Sequence, residues 1–203
     1  MRRLILSLLV ALGVASGAVG QRYYSPDLTV GVKAGATLSR MQFMPTVRQS
    51  MTSGGTAGIM VRYSEEKLFG LLGELNLTQR GWAEDFRGAD FRYSRHFTYL
   101  QLPLLTQIRF GWEKVKIFVN LGPEAGYMIG SKVKSDFDYR NTASVSGFPS
   151  GRHTEQLDMK VSNRFDYGIA GGLGVEFFCT PRNSIIVEGR FYYGIGNVFP
   201  ASR

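Results

Sequence analysis

The chain has 203 residues, room for one domain and too few for two ordinary ones. Its one cysteine, Cys179, excludes an intrachain disulfide and leaves no second thiol for a metal pair. The 24 basic residues against 16 acidic ones would suggest nucleic acid in a soluble protein, but the first twenty residues argue for export, where nucleic acid is not an expected partner.

Those residues have the anatomy of a secretory leader. Arg2 and Arg3 form a positive start, and Leu4 to Val14 is apolar except for Ser7 and Gly13. Ala18 and Gly20 put small residues at −3 and −1 of a cut before Gln21. The apolar run is shorter than the roughly 20 residues of a spanning helix, and no cysteine follows the cut to carry a lipid. The expected division is therefore a signal peptide over 1–20 and one domain over 21–203. Loss of Arg2 and Arg3 takes the 24 basic residues to 22 against 16 acidic ones, a net of +6. Anionic lipid head groups or sugar phosphates are the expected counter-charges.

Beyond the leader, apolar and polar residues alternate with period 2, the mark of strands with one apolar face. In 28–39, Leu28, Val30, Val32 and Leu38 oppose Thr29, Lys33 and Thr37. In 55–63, Ile59, Val61 and Tyr63 oppose Thr56 and Arg62, and in 69–80, Phe69, Leu71, Leu75 and Leu77 oppose Glu74, Asn76 and Arg80. Segment 98–110 sets Leu100, Leu102, Leu104 and Ile108 against Gln101, Pro103, Gln107 and Arg109. Segment 114–128 sets Ile117, Val119 and Leu121 against Lys116, Asn120 and Glu124. Segment 166–177 sets Tyr167, Ile169 and Leu173 against Asp166 and Glu176, and 184–194 sets Ile185, Val187 and Phe191 against Glu188 and Arg190.

Seven such strands are clear, most of ten or more residues, longer than the usual strand of a soluble sheet and matched to the 9–11 residues of a tilted membrane strand. Alternation alone does not separate a soluble sheet with a wet polar face from a barrel with a lipid-facing apolar one. The connections do. Long links at 40–54, 81–97 and 130–164 alternate with short ones at 64–67, 111–113 and 179–183. Outer-membrane barrels have short periplasmic turns and long outer loops. The predicted fold is all-β: an antiparallel up-and-down transmembrane barrel of about eight strands, with its amino terminus in the periplasm.

Its polar face carries six cations, Lys33, Arg62, Arg80, Arg109, Lys116 and Arg190, and five anions, Glu74, Glu124, Asp166, Glu176 and Glu188. An isolated buried charge is costly, so near balance predicts a paired charge network filling a narrow lumen.

The motifs in order resemble the PorT-like family of small outer-membrane β-barrels. They are Gly31-Val-Lys33-Ala-Gly35, Glu74-Leu75 with Gly81, and Tyr99-Leu100-Gln-Leu-Pro103-Leu-Leu. Gly122-Pro123-Glu-Ala-Gly126-Tyr127, Asp166-Tyr-Gly168 with Gly172, Gly174 and Glu176, and Arg190-Phe-Tyr-Tyr-Gly194 follow. The resemblance covers nearly all of the mature chain. It implies about eight strands, and the family's namesake takes part in type IX secretion. It also implies one more strand with a terminal aromatic residue, whereas this sequence stops at Asn197-Val-Phe-Pro-Ala-Ser-Arg203. The expectation is a missing eighth strand and a weak seam between 28–39 and 184–194, unless 130–164 hides a strand at Lys132 to Tyr139 or Gln156 to Val161. Those two stretches are expected instead to lengthen their neighbours beyond the membrane.

Enzymatic chemistry has little to stand on. His96 and His153 fall in predicted outer loops, and Ser94 with Asp90 near His96 lacks any recognisable nucleophile elbow. No phosphate loop, metal cluster or dinucleotide fingerprint is present, so no cofactor is expected. The second long link interleaves Trp82 with Arg87, Arg92 and Arg95, a pattern expected to touch lipopolysaccharide or a partner protein at the outer rim. Trp82, Phe86, Phe91, Tyr93 and Phe97 are expected to form an interfacial belt. The expected function is structural or accessory work in the envelope, linked to secretion and without catalysis. A soluble periplasmic barrel or sandwich binding a small ligand, and an outer-membrane hydrolase built on His96, remain the alternatives.

Overall fold

The computed structural model describes residues 26–41, 49–65, 68–86, 90–149, 154–159 and 161–196. The proposed leader, Arg87, His153 and the last seven residues lie outside this set.

Seven long strands form one antiparallel sheet. They are β1 (Asp27–Ser39), β3 (Thr52–Ser64), β4 (Phe69–Glu84), β5 (Tyr93–Gly111), β6 (Val115–Ser135), β7 (Phe165–Phe178) and β8 (Ser184–Gly194). A two-residue strand, β2 (Gln49–Ser50), pairs with the end of β4. The order is β1-β3-β4-β5-β6-β7-β8, each long strand beside its sequence neighbour. That is the up-and-down meander which alternating short and long links permit. Among the described residues no ladder joins β1 to β8, and none of those within 136–164 forms a strand between them.

The strands outrun the alternation at the ends opposite the short turns. The link between β4 and β5 is only 85–92, because β4 runs on to Glu84 and β5 starts at Tyr93. Strand β6 extends to Ser135, taking up part of the Lys132 to Tyr139 stretch. Gln156 does not lengthen β7; Glu155–Leu157 forms a 3-10 turn that drops Gln156 and Leu157 into the interior.

Pro103 sits inside a central strand, where a missing N–H normally breaks the ladder. The ladder yields there. Gly73 pairs with Leu104 and Asn76 with Gln101, while Leu102 and Pro103 have no partner on β4.

The faces are inverted relative to a soluble sheet. Leu28, Val30, Val32, Ile59, Leu71, Leu77, Leu102, Leu104, Val119, Leu121, Leu173, Val187 and Phe191 project from the convex side and are exposed. Arg62, Glu74, Asn76, Gln107, Asn120, Glu124 and Glu176 are buried on the concave side. A soluble sandwich or ligand-binding barrel would put the first set in its core; lipid is the solvent that suits it outside. Tyr127, Phe165, Tyr167 and Tyr193 edge this belt at one end, and Phe69, Phe110, Trp112 and Phe177 at the other. Aromatic rings favour those two interfaces. None of the described helices is long and apolar enough to cross a membrane.

Candidate functional site

The interior is the place where this sequence departs most from a plain hydrophobic core. Period 2 sends one residue in two inward, and the curl of the sheet brings inward residues from distant strands together. Arg62 on β3 meets Glu176 on β7 through two hydrogen bonds, Nη1 to Oε2 at 2.9 Å and Nη2 to Oε1 at 2.8 Å. Ser184 donates to the same carboxylate at 2.6 Å. Arg62 also donates to Gln107 at 3.4 Å, Gln107 to Asn120 at 2.9 Å, and Asn120 to Glu188 at 3.0 Å. Glu188 accepts from Arg190 at 2.8 Å, and Arg190 grips both oxygens of Glu74 at 2.7 and 2.8 Å. Lys33 and Asn76 complete the coordination of Glu74 at 2.9 and 2.8 Å. Every long strand contributes to this one connected network.

A second group lies nearer the far end. Arg80 bonds Glu124 at 2.6 Å and lies 3.7 Å from Asp166. Gln101 also donates to Glu124, and Tyr192 donates to Asp166 at 2.9 Å while its ring stacks 3.9 Å from the Arg80 guanidinium. Bidentate and charge-assisted bonds of this kind offset part of the cost of taking ions out of water. Gly172 leaves the space that the Glu188 carboxylate fills, and Gly174 the space of the Phe118 ring.

Arg109 and Lys116 belong to the short-turn end. Arg109 donates to Ser64 at 2.8 Å, and the Lys116 ammonium lies 5.0 Å from the Phe178 ring. They line a mouth cavity of about 890 Å³ together with Trp112, Lys114 and Cys179. Gln101, Gln107, Asn120, Ser184 and Tyr192 are the linking groups that charge counting overlooks. Their signal is that they share inward parity with the ionised residues.

The opposite mouth is closed by aromatic packing. Trp82, Phe86, Tyr93, Phe97, Tyr99, Met128 and Leu157 form a buried cluster. Trp82 lies 6.1 Å from Tyr93 and 5.8 Å from Phe97 between ring centroids. The segment 154–159 lies over it: Tyr93 donates to the Leu157 carbonyl at 2.6 Å and Arg95 to the Met159 carbonyl at 2.6 Å. Gln156 donates to Glu84 at 3.2 Å.

The structure does not place Trp82 and Arg95 at the outer rim. Trp82 and Arg95 point into the lumen and are buried, Trp82 completely, so neither presents itself to lipid or a partner. Phe86, Tyr93 and Phe97 likewise belong to the plug, not to an interfacial belt. The reason is that alternation continues through what reads as a loop. Only Arg92 of that set is exposed, and Arg87 lies outside the described residues. Ser94 and His96 occupy successive convex positions on β5, about 6.8 Å apart along an extended chain, and no hydrogen bond joins them. No described group of His, Cys, Asp and Glu is arranged to hold a metal.

No curated protein and no solved structure matches the chain. Residues 21–200 match the family described as outer membrane protein beta-barrel domain. With an apolar belt turned outward, charges turned inward and loops sorted by length, the chain is an outer-membrane β-barrel protein and belongs to that family.

Proposed function

We propose that this barrel is a structural or accessory component of the cell envelope that works through its outer surfaces and performs no catalysis. The observation that supports it most is the filled interior: ion pairs span the lumen and residues 154–159 lie across the aromatic cluster. Such a body has rigidity to offer, and its surfaces meet lipid and proteins.

The finer reading is a PorT-like role, as a component or helper of a type IX-like secretion machine. It rests on the ordered motifs from Gly31 to Gly194. Envelope proteins of that machine and outer-membrane lipids, including lipopolysaccharide, are the proposed partners. Export proceeds by removal of residues 1–20, and mass measurement of the mature amino terminus tests that cut.

Co-purification from the native host in gentle detergent tests the role. A stoichiometric envelope or secretion component is the expected result, with exported cargo retained in the periplasm when the gene is deleted. Purification of the barrel alone, with unchanged secretion on deletion, would overturn it. The hydrolase alternative would be restored if His96→Ala abolished a measurable lipase or protease activity.

A further inference from the structure

A β-bulge decides which side chains of the outer part of β6 meet lipid. Tyr99 pairs with Met128 and both are buried. The register then shifts, Thr98 pairing with Gly130, so that Ile129 has no partner on β5. An extra residue of this kind reverses inward and outward beyond it. Ser131 and Val133 now lie opposite the inward Phe97 and Arg95; Ser131 accepts from Arg95 at 3.4 Å and Val133 packs on the aromatic cluster. Lys132 and Lys134 are thereby turned outward, opposite His96 and Ser94. Without the bulge both ammonium groups would enter the aromatic plug.

The convex face is consequently layered. Leu77, Leu100 and Tyr127 form the last paired apolar row across β4, β5 and β6, with the bulged Ile129 exposed just beyond it. Gln79, Thr98 and Gly130 form the next, then Gly81, His96 and Lys132, then Ala83, Ser94 and Lys134. From Leu100 to His96 is about 13 Å along the strand, or roughly 9 Å of height at 45° tilt. No acidic residue occurs in these rows; Asp136, just beyond Lys134, accepts from the Arg92 amide. Lys132 and Lys134 form no ion pair among the described residues. Gly81 leaves a shallow step beside them, since a side chain there would run into the Arg95 carbonyl.

We infer that Lys132 and Lys134, aided by His96, form a docking site for a phosphate of the outer-leaflet glycolipid, lipopolysaccharide. The belt places acyl chains against Leu77, Leu100 and Tyr127, and the same molecule's phosphates then come level with the ammonium groups. Each basic group near an anionic membrane surface adds attraction, and the pair acts on one head group. The inference rests on the outer-membrane setting, with the long links on the outside, and is independent of any secretion partner.

The test is native mass spectrometry of the full chain in detergent, titrated with purified lipid A, dephosphorylated lipid A or inorganic phosphate. Heat-modifiable electrophoretic migration confirms that each variant is folded. The wild type should prefer lipid A over its dephosphorylated form, and K132Q/K134Q should bind about tenfold more weakly. K132R/K134R should retain binding, and K114Q at the opposite rim should change nothing. If K132Q/K134Q loses the folded form, the single variants, each expected about threefold weaker, decide in its place. Undiminished binding by the Gln variants, equal affinity for dephosphorylated lipid A, an equal loss in K114Q, or displacement by inorganic phosphate would each overturn the assignment.

Discussion

The Arg62 guanidinium and the Glu176 carboxylate face each other through paired hydrogen bonds of 2.9 and 2.8 Å, although β4, β5 and β6 lie between their strands in the sheet. Both side chains are almost wholly buried. The contact therefore sets the width of the curled sheet: strands four places apart are one salt bridge from each other across the lumen.

Removing one partner should be worse than removing both. Arg62→Ala or Glu176→Ala leaves an uncompensated buried charge and should cost about 3–5 kcal/mol. The apolar pair R62M/E176L should be less destabilised than either single variant. Urea unfolding in lipid vesicles measures this, and additive losses would show that the two groups act independently.

Glu74 ties both edge strands to the sheet, accepting from Lys33 on β1 and Arg190 on β8. Glu74→Gln should weaken both ties at once. Amide exchange should rise in β1 and β8 and stay unchanged in β5. A uniform rise across the sheet would show that the carboxylate has no special hold on the edges.

How much of this was legible in the sequence follows from which patterns are local. Every long strand showed in the alternation, because whether Leu28 or Thr29 faces lipid is decided by two adjacent residues. The inward placement of Arg62, Glu74 and Glu176 follows from the same parity. Their partners do not, because Arg62 meets Glu176 only through the curl of five strands. Trp82 was misread as a rim residue because a long polar link hides an alternation that runs on through Tyr93, Arg95, Phe97 and Tyr99. The bulge at Ile129 left no mark in the residue pattern, so Lys132 and Lys134 gave no sign of their direction.

The aromatic plug should hold residues 154–159 in place. Trp82→Ala removes its buried centre and should cost about 3–5 kcal/mol. Tyr93→Phe removes the hydroxyl that donates to the Leu157 carbonyl and should cost about 1 kcal/mol. Both should speed protease cleavage near 154–159, Trp82→Ala more strongly. Unchanged cleavage in Trp82→Ala would show that the segment does not depend on the plug.

Gly174 should tolerate no larger residue. A side chain there would enter the Phe118 ring and crowd the Val187 carbonyl. Gly174→Val should destabilise by about 1–3 kcal/mol, and Gly174→Val with Phe118→Leu should recover part of that loss. Thermal unfolding followed by electrophoretic mobility reads both, and equal stability of Gly174→Val and wild type would contradict the packing described.

This outer-membrane barrel is filled, not open. Planar-bilayer recording of the purified full chain tests it most directly. The wild type should show no steady conductance, because an interior of about this strand number has room only for side chains and here they are bonded across it. A stable porin-like conductance would show that the interior is open.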